Sequence, residues 1–429
     1  MIRSKDGSSG IVSGLGSLFS KNNILDLNKG VCYYLKDNLC SRDFVTTSSS
    51  NFLNDFWPGY DSFVIKLLKK KGYILLGKTI LDEFSCGGTG LLANNGVLYH
   101  PTNPDHIIGG SSSGSALVVK KGFVSFSLAS DTGGSIRIPA AYCGLLGFKP
   151  GYGFVSRQGL IPYCSFLDTV GILSSDLETL RKISTILGEE ADSGDLWTVL
   201  TKKKKINNVV TTPPKKKIVV IKGISQYLSQ EYSHIYYKFL DYLKGKGYEI
   251  TPIAIPLFIR ENLLISWISI CFSELVSNLN SLQGVTFGIK DNKKTVKQKR
   301  TEYLGITVKR RLLIGSFFLK DEEKMLKVYY WRQKLENWIN SLFKNNTFLL
   351  FPTTISEAPL VSKSTIFSLG NDEHWSSNLA LLSNLSRIPS INVPLGLVNK
   401  LPVGICVNAK PQEENRIFEL AKEILAFTK

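Results

Sequence analysis

Apolar and polar positions follow two rhythms along this chain. The first clear pair lies in "DSFVIKLLKKKGYILLGKTILDEF", residues 61–84. Apolar residues recur at three- and four-residue spacing up to Gly72, which predicts an amphipathic helix with that glycine as its C-cap. The short continuous run "YILLGKT" then predicts a buried strand. "GSALVVKKGFVSFSLASD" repeats the grammar, with a small-residue helix, a break at Gly122 and a strand. "DLETLRKISTILGEE" predicts a further helix with Asp176 as its N-cap. "KIVVIKG" restarts a strand, "SQEYSHIYYKFLDYLKGKGYEI" gives a helix and a strand, and the pattern from about Asn262 to Phe343 is mainly helical. "FLLFPTT" and "PSINVPLGL" return to strand-like runs, and "EENRIFELAKEILAF" closes the chain as an amphipathic helix. No internal repeat is present. Strands alternating with helices predict an α/β fold: one large domain over 1–429 with a mixed central sheet covered by helices on both faces. Its parts are a core at about 30–185, a Lys-rich loop at 201–217, a helical pocket region at about 262–343, and C-terminal strands and helix at 347–429.

Composition narrows the class. A hydrophobic share of 43% with 20% charged residues fits a globular protein. No uninterrupted apolar run of bilayer length stands out, so no membrane partner is expected. The net charge is +17, from 52 Lys and Arg against 35 Asp and Glu. That excess fits a polyanionic partner such as RNA, and equally a Lys- and Asn-biased composition, since no element carries a strong basic stripe. The stretch "TKKKKINNVVTTPPKKK", residues 201–217, is charged and aperiodic, which predicts a solvated loop, with RNA contact as the alternative.

Cys32, Cys40, Cys86, Cys143, Cys164, Cys271 and Cys406 show no CxxC pair and no His spacing for zinc, so no metal site is expected. Their odd number in a chain of this size predicts reduced, mostly buried thiols in an intracellular compartment. The opening "MIRSKDGSSGIVSGLGSLF" has a brief apolar patch without a signal-peptide core or cleavage site, which leaves cytoplasm, mitochondrion and plastid all open.

The candidate chemistry lies in serine, glycine and one lysine. His100, His106, His234 and His374 all stand in contexts that do not support a Ser-His-Asp triad. Lys36, in "YYLKDNL", ends an apolar strand-like run. A lysine desolvated there has a depressed pKa, and its neutral amine can act as a base. Taken alone, such a lysine is far more often a surface charge. In "DTGGSIR" consecutive glycines allow successive backbone N–H groups to point into one space, as an oxyanion-binding nest beside Ser135. A flexible turn or a phosphate loop would use the same glycines, although no GK[ST] ending follows.

Together, "GGSSSGSALV" and "SLASDTGGSIRIPAAYCGLLGFKPGYGFVSRQGLIPYCSFLDTVGIL" resemble the amidase signature family. "LKDNL", "LLGKTILDEF", "TNP", "VKRRLLIG", "FPTT" and "INVPLGL…LPVGI" follow in the family's order, so the resemblance covers nearly the whole chain. Within the family the likeness is greatest to the glutamine-hydrolysing A subunits of glutamyl-tRNA(Gln) amidotransferases. The resemblance implies a Ser–cis-Ser–Lys triad: Ser135 as nucleophile, Ser111 as proton relay behind a cis peptide bond, and Lys36 as base and then acid. It places an oxyanion hole at the backbone N–H groups of Thr132, Gly133, Gly134 and Ser135, with Asp131 and Arg137 bracing the loop. It also implies glutamine hydrolysis through an acyl-enzyme and ammonia passed to a tRNA-binding B subunit that uses ATP and Mg²⁺. Glu-tRNA(Gln) and a small C-type subunit would join through the complex. No cofactor is expected in this chain, which has no nucleotide motif. A stand-alone amidase for another small amide is one rival expectation, and a diverged scaffold subunit the other.

Three departures from the family pattern stand out. Ser113 replaces a glycine in the first serine cluster, and the chain begins close to its triad lysine, so a leading helical segment is short or missing. In the donor pocket, Glu336 falls where an Arg is expected to grip the glutamine carboxylate, and Ser377 falls where an Asp is expected to grip its amine. Arg332, four residues before Glu336 on the same helical face, is the candidate replacement for the first, and Asp372 or Glu373 for the second.

Overall fold

The apolar runs become eleven strands of one sheet: β1 (Ile11–Gly14), β2 (Cys32–Lys36), β3 (Ile74–Thr79), β4 (Phe126–Asp131), β5 (Leu146–Lys149), β6 (Thr169–Ser174), β7 (Lys217–Ile221), β8 (Glu249–Ile253), β9 (Thr347–Pro352), β10 (Ser390–Val398) and β11 (Leu401–Asn408). The computed structural model describes residues 11–14, 31–206, 217–282, 289, 293–343, 347–364 and 375–428. The spatial order is β1-β3-β2-β4-β6-β5-β10-β11-β9-β7-β8. Strand β2 runs parallel to β3 and β4, and β7 parallel to β8 and β9, while the centre of the sheet is antiparallel. The predicted mixed sheet is therefore observed.

Helices cover both faces, because successive strand residues point to opposite sides. On β2, Tyr33 and Leu35 join one apolar cluster and Tyr34 the other; on β3, Leu75 and Leu76 divide the same way. The larger cluster takes in α1 (Phe63–Lys70), α4 (Leu177–Leu187), α6 (Gln230–Gly245) and α12 (Glu414–Phe427). The smaller takes in α2 (Ser113–Lys120) and α3 (Arg137–Cys143). Asp176 caps α4 as expected, accepting from the Thr179 N–H at 2.6 Å, whereas the C-cap of α1 is Lys71 and Gly72 follows it at φ +77°. Six of the seven cysteines are buried, and all seven are free thiols.

Two expectations need correction. The segment 201–217 is not one loop. Helix α5 (Leu196–Ile206) runs through its first six residues, and Lys217 already belongs to β7. Thr198 is buried, and the Lys202 amine reaches the Gly188 carbonyl, so the four-lysine run ends a packed helix rather than starting a tether. Residues 207–216 lie outside the described residues. Second, an apolar stretch of spanning length does occur. Helix α7 (Leu257–Ser281), 25 residues with a mean hydropathy of 1.3 in its apolar window, is long enough by composition to cross a membrane. In the fold 56% of that window is buried, with α9 (Ile306–Phe318), α10 (Glu322–Leu342) and α11 (Ala380–Leu385) packed against it. The connecting α8 (Val296–Tyr303) carries a capping box between Thr295 and Gln298.

Candidate active site

Strands β2 and β4 run in parallel, so their C-terminal ends deliver Lys36 and Asp131 to the same edge of the sheet. The turn entering α2 brings Ser111 to that edge, behind a cis Gly110–Ser111 peptide. Lys36 has no exposed surface. Its Nζ lies 2.9 Å from Ser111 Oγ, 3.1 Å from Ser130 Oγ and 3.3 Å from the Ser130 carbonyl. Burial pulls its pKa down to about 7, even though Asp82, Asp131 and Asp168 favour the charged form. Asn38 holds Ser130 Oγ from the other side at 2.8 Å. A lysine with these partners can give up and regain a proton near neutrality.

Ser135 sits in the turn between β4 and α3, partly exposed. Asp131 fixes that turn. Its Oδ1 accepts from the Gly134 N–H at 2.8 Å and from Asn384 Nδ2 at 2.9 Å, and its Oδ2 accepts from the Ile136 N–H at 3.1 Å. Arg137 pairs with both oxygens at 3.0 Å and extends to Ser383 Oγ and Asn384 Oδ1 near α11. Burial alone would raise the Asp131 pKa, but Arg137, Lys149 and Asn384 outweigh it and hold the carboxyl well below the usual range. The bracing role expected of Asp131 and Arg137 is thus what the geometry gives.

The oxyanion nest is smaller than expected. The Gly134 N–H turns inward to Asp131, so it does not face a substrate. That leaves the N–H groups of Thr132, Gly133 and Ser135 as the candidate nest. Trp267, on α7, donates from Nε1 to the Thr132 carbonyl at 2.9 Å and lies against Gly133. A Cβ at Gly133 would come within 2.7 Å of its ring, so the close approach demands glycine. Gly110 is required for the same reason, because a Cβ there would collide with Asp82 Oδ2. Ser113 replaces its glycine without strain, because it opens α2 with helical geometry.

A cavity of about 30 Å³ lies over Ser135, walled by Thr132, Gly133, Ile138, Tyr163, Leu264, Trp267, Asn378 and Leu381. The space over Ser135 is therefore narrow, and it has room for a water.

The donor-pocket residues fall differently from the expectation. Arg332 is buried away from the cavity wall. Its Nε donates to the Leu385 carbonyl at 3.0 Å, its guanidinium lies over Phe166, and its Nη2 is 2.9 Å from Glu336 Oε2 but off the line of a hydrogen bond. The Glu336 that occupies the expected Arg position therefore neutralises its own replacement. Ser377 adjoins the wall residue Asn378 with a buried, unpartnered Oγ. Asp372 and Glu373 lie outside the described residues.

Arg311, on α9, was not singled out from sequence. It is 2% exposed, donates from Nη1 to Tyr163 OH at 2.7 Å, and stacks over Phe272. Its Nε is buried without an acceptor, and no carboxylate among the described residues forms an ion pair with it. Asp82 favours its charge from a distance, but a buried guanidinium with no carboxylate in ion-pair contact, one side chain behind the cavity wall, suits the carboxylate of a substrate. In "VKRRLLIG" nothing separates Arg311 from the exposed Arg310 except the phase of the helix. Asp168, Ser130 and Trp267 were likewise missed, because each acts through a contact more than thirty residues away in sequence.

The amidase family profile matches residues 21–418. The chain is 31% identical over 414 residues to the A subunit of glutamyl-tRNA(Gln) amidotransferase from Mycoplasma genitalium, covering 92% of this chain and 85% of that one. It is 32% identical over 413 residues to the corresponding protein of Sulfolobus acidocaldarius, covering 93% and 85%. The crystal structure of the glutamyl-tRNA(Gln) amidotransferase A subunit from Thermotoga maritima superposes with a TM-score of 0.79 at 25% identity, over 99% of this chain and 89% of that one. An allophanate hydrolase from Kluyveromyces lactis shares the fold, with a TM-score of 0.76 at 24% identity over 98% and 67%.

Proposed function

The chain belongs to the amidase family, and on that premise we propose that it is the glutamine-hydrolysing A subunit of a glutamyl-tRNA(Gln) amidotransferase. The observation that carries the chemistry is the buried Lys36 amine at 2.9 Å from Ser111 Oγ, beside the Ser135 nest. Neutral Lys36 takes the Ser111 proton while Ser111 takes that of Ser135, whose oxygen forms a bond to the amide carbon. The carbonyl electron pair moves onto oxygen, where the Thr132, Gly133 and Ser135 N–H groups meet the developing charge. Collapse breaks the C–N bond, and the proton returns through Ser111 to the leaving nitrogen as ammonia. Water then attacks the acyl ester by the reverse relay and releases glutamate. In this reading Arg311 takes the role expected of Arg332 and meets the glutamine α-carboxylate once the Tyr163 wall in front of it moves aside.

Ammonia is of use to this reaction only if it reaches a second active site. The relatives are named as subunits, which accords with a multi-subunit complex acting on tRNA. In our reading a tRNA-binding B subunit uses ATP and Mg²⁺ to activate Glu-tRNA(Gln), and a small C-type subunit completes the assembly. The test is ammonia release from glutamine and from a panel of uncharged amides, with and without the co-purified partner. Glutamine should be preferred and its turnover should rise with the partner. A monomer that ignores glutamine and turns over another amide would overturn the reading in favour of a stand-alone amidase.

A further inference from the structure

We propose that Asp168 is a positioning residue: its carboxylate locks the Thr132 end of the oxyanion nest to the Tyr163 wall, so that the two halves of the site move as one. The inference rests on the amidase reading above. Asp168 is 2% exposed and touches neither Lys36 nor Ser135 by hydrogen bond. Its Oδ1 accepts from Thr132 Oγ1 at 2.5 Å, and its Oδ2 accepts from the Tyr163 N–H at 2.9 Å and the Cys164 N–H at 3.0 Å. Each of these partners bears on the reaction from a different side. Thr132 supplies a nest N–H and is held on its carbonyl by Trp267 at 2.9 Å. Tyr163 walls the cavity, and its hydroxyl receives Arg311 at 2.7 Å. Buried hydrogen bonds therefore run from the guanidinium behind the wall to the nest, and Asp168 accepts from both halves, alongside the packing of Trp267 on Tyr163.

A carboxylate suits this position because it is acceptor-only and offers two oxygens to donors on two segments. Three donors converge on it, so the loop 163–164 and the nest cannot shift independently without leaving a buried acceptor unsatisfied. Burial, with Glu274 adding to it, raises the Asp168 pKa to about 7, and the hydrogen bonds of Thr132, Cys164 and Tyr163 favour its charged form. A nest held this way is set for the tetrahedral oxyanion rather than for the planar amide, and its loss falls on kcat.

Two near-isosteric variants test this. Thr132→Val removes the hydroxyl donor and leaves the nest N–H, and Asp168→Asn puts a donor where the carboxylate accepted. Both should lower kcat about tenfold for glutamine and for an uncharged amide alike, with KM changed by less than about twofold. The second readout is the γ-aldehyde analogue of glutamine. The Ser135 oxygen adds to its carbonyl carbon, the serine proton passes into the Ser111–Lys36 relay, and the adduct carries an oxyanion in the nest. Its Ki should rise by the same factor as kcat falls, a match that general loosening of the fold would not produce. Unchanged kcat in both variants, or a fall in kcat without a matching rise in Ki, overturns the proposal. If the wild type turns over only an uncharged amide, the glutamine reading fails, and kcat on that amide still decides the role of Asp168.

Discussion

Lys36 acts as a base only as the neutral amine, and its pKa of about 7 sets the sign of the pH response. The active form accumulates as pH rises through about 7, so kcat/KM should climb through that range and level off above it; a flat profile would rule Lys36 out as the base. Ser135→Ala should remove about four orders of magnitude or more of kcat while leaving the protein folded. Lys36→Ala should be nearly as damaging, and Ser111→Ala less so. Their combined loss should fall far short of the product, because the three side chains act as a unit. Arg311→Lys keeps the charge but loses the guanidinium fork, so the KM for glutamine should rise about tenfold while that for an uncharged amide stays put. Arg332→Ala should affect both substrates equally, since Glu336 and the Leu385 carbonyl already engage that side chain. Equal effects of the Arg311 change on the two amides would remove it from the donor pocket.

The turn between β4 and α3 depends on a helix that the sequence places about 240 residues away. Asp131, Arg137 and Asn384 form one buried network joining β4, α3 and α11, and the Arg137–Asp131 pair has no exposed surface. Removing one partner leaves an uncompensated buried charge, so Asp131→Ala should cost about 3–5 kcal/mol in urea unfolding. Gly133→Ala should abolish ammonia release and also cost some stability, because its Cβ collides with Trp267, which walls the cavity and belongs to the larger apolar cluster. The catalytic turn was legible because its glycines and serines are contiguous. The brace was only half legible: Asp131 and Arg137 are six residues apart, but nothing in "ALLSNL" announces that Asn384 and Ser383 complete it. The helix phase of Arg311 was not legible either, since buried and exposed arginines alternate in the same basic run.

At the scale of the whole molecule, the Lys-rich segment divides between helix α5 and residues outside the described ones. Removing residues 207–216 should leave ammonia release unchanged. A cut that extends into 201–206 should destabilise the protein, because α5 packs through Thr198 and contacts the 188 and 412 turns. Comparing the two deletions by activity and thermal unfolding separates loop from helix. Sequence alone determined the α/β class and the two-faced sheet, because periodicity is a local property of a chain, and it was the resemblance carried by contiguous motifs that pointed to Lys36, Ser111 and Ser135. Only the tertiary structure decided that the Gly134 N–H turns to Asp131, that Glu336 engages Arg332, that Arg311 is buried with no carboxylate in ion-pair contact among the described residues, and that Asp168 bonds to both Thr132 and the 163–164 loop. Those outcomes turn on burial and on which distant segments meet, and a side chain's charge state and direction are set by neighbours that its own stretch of sequence does not contain.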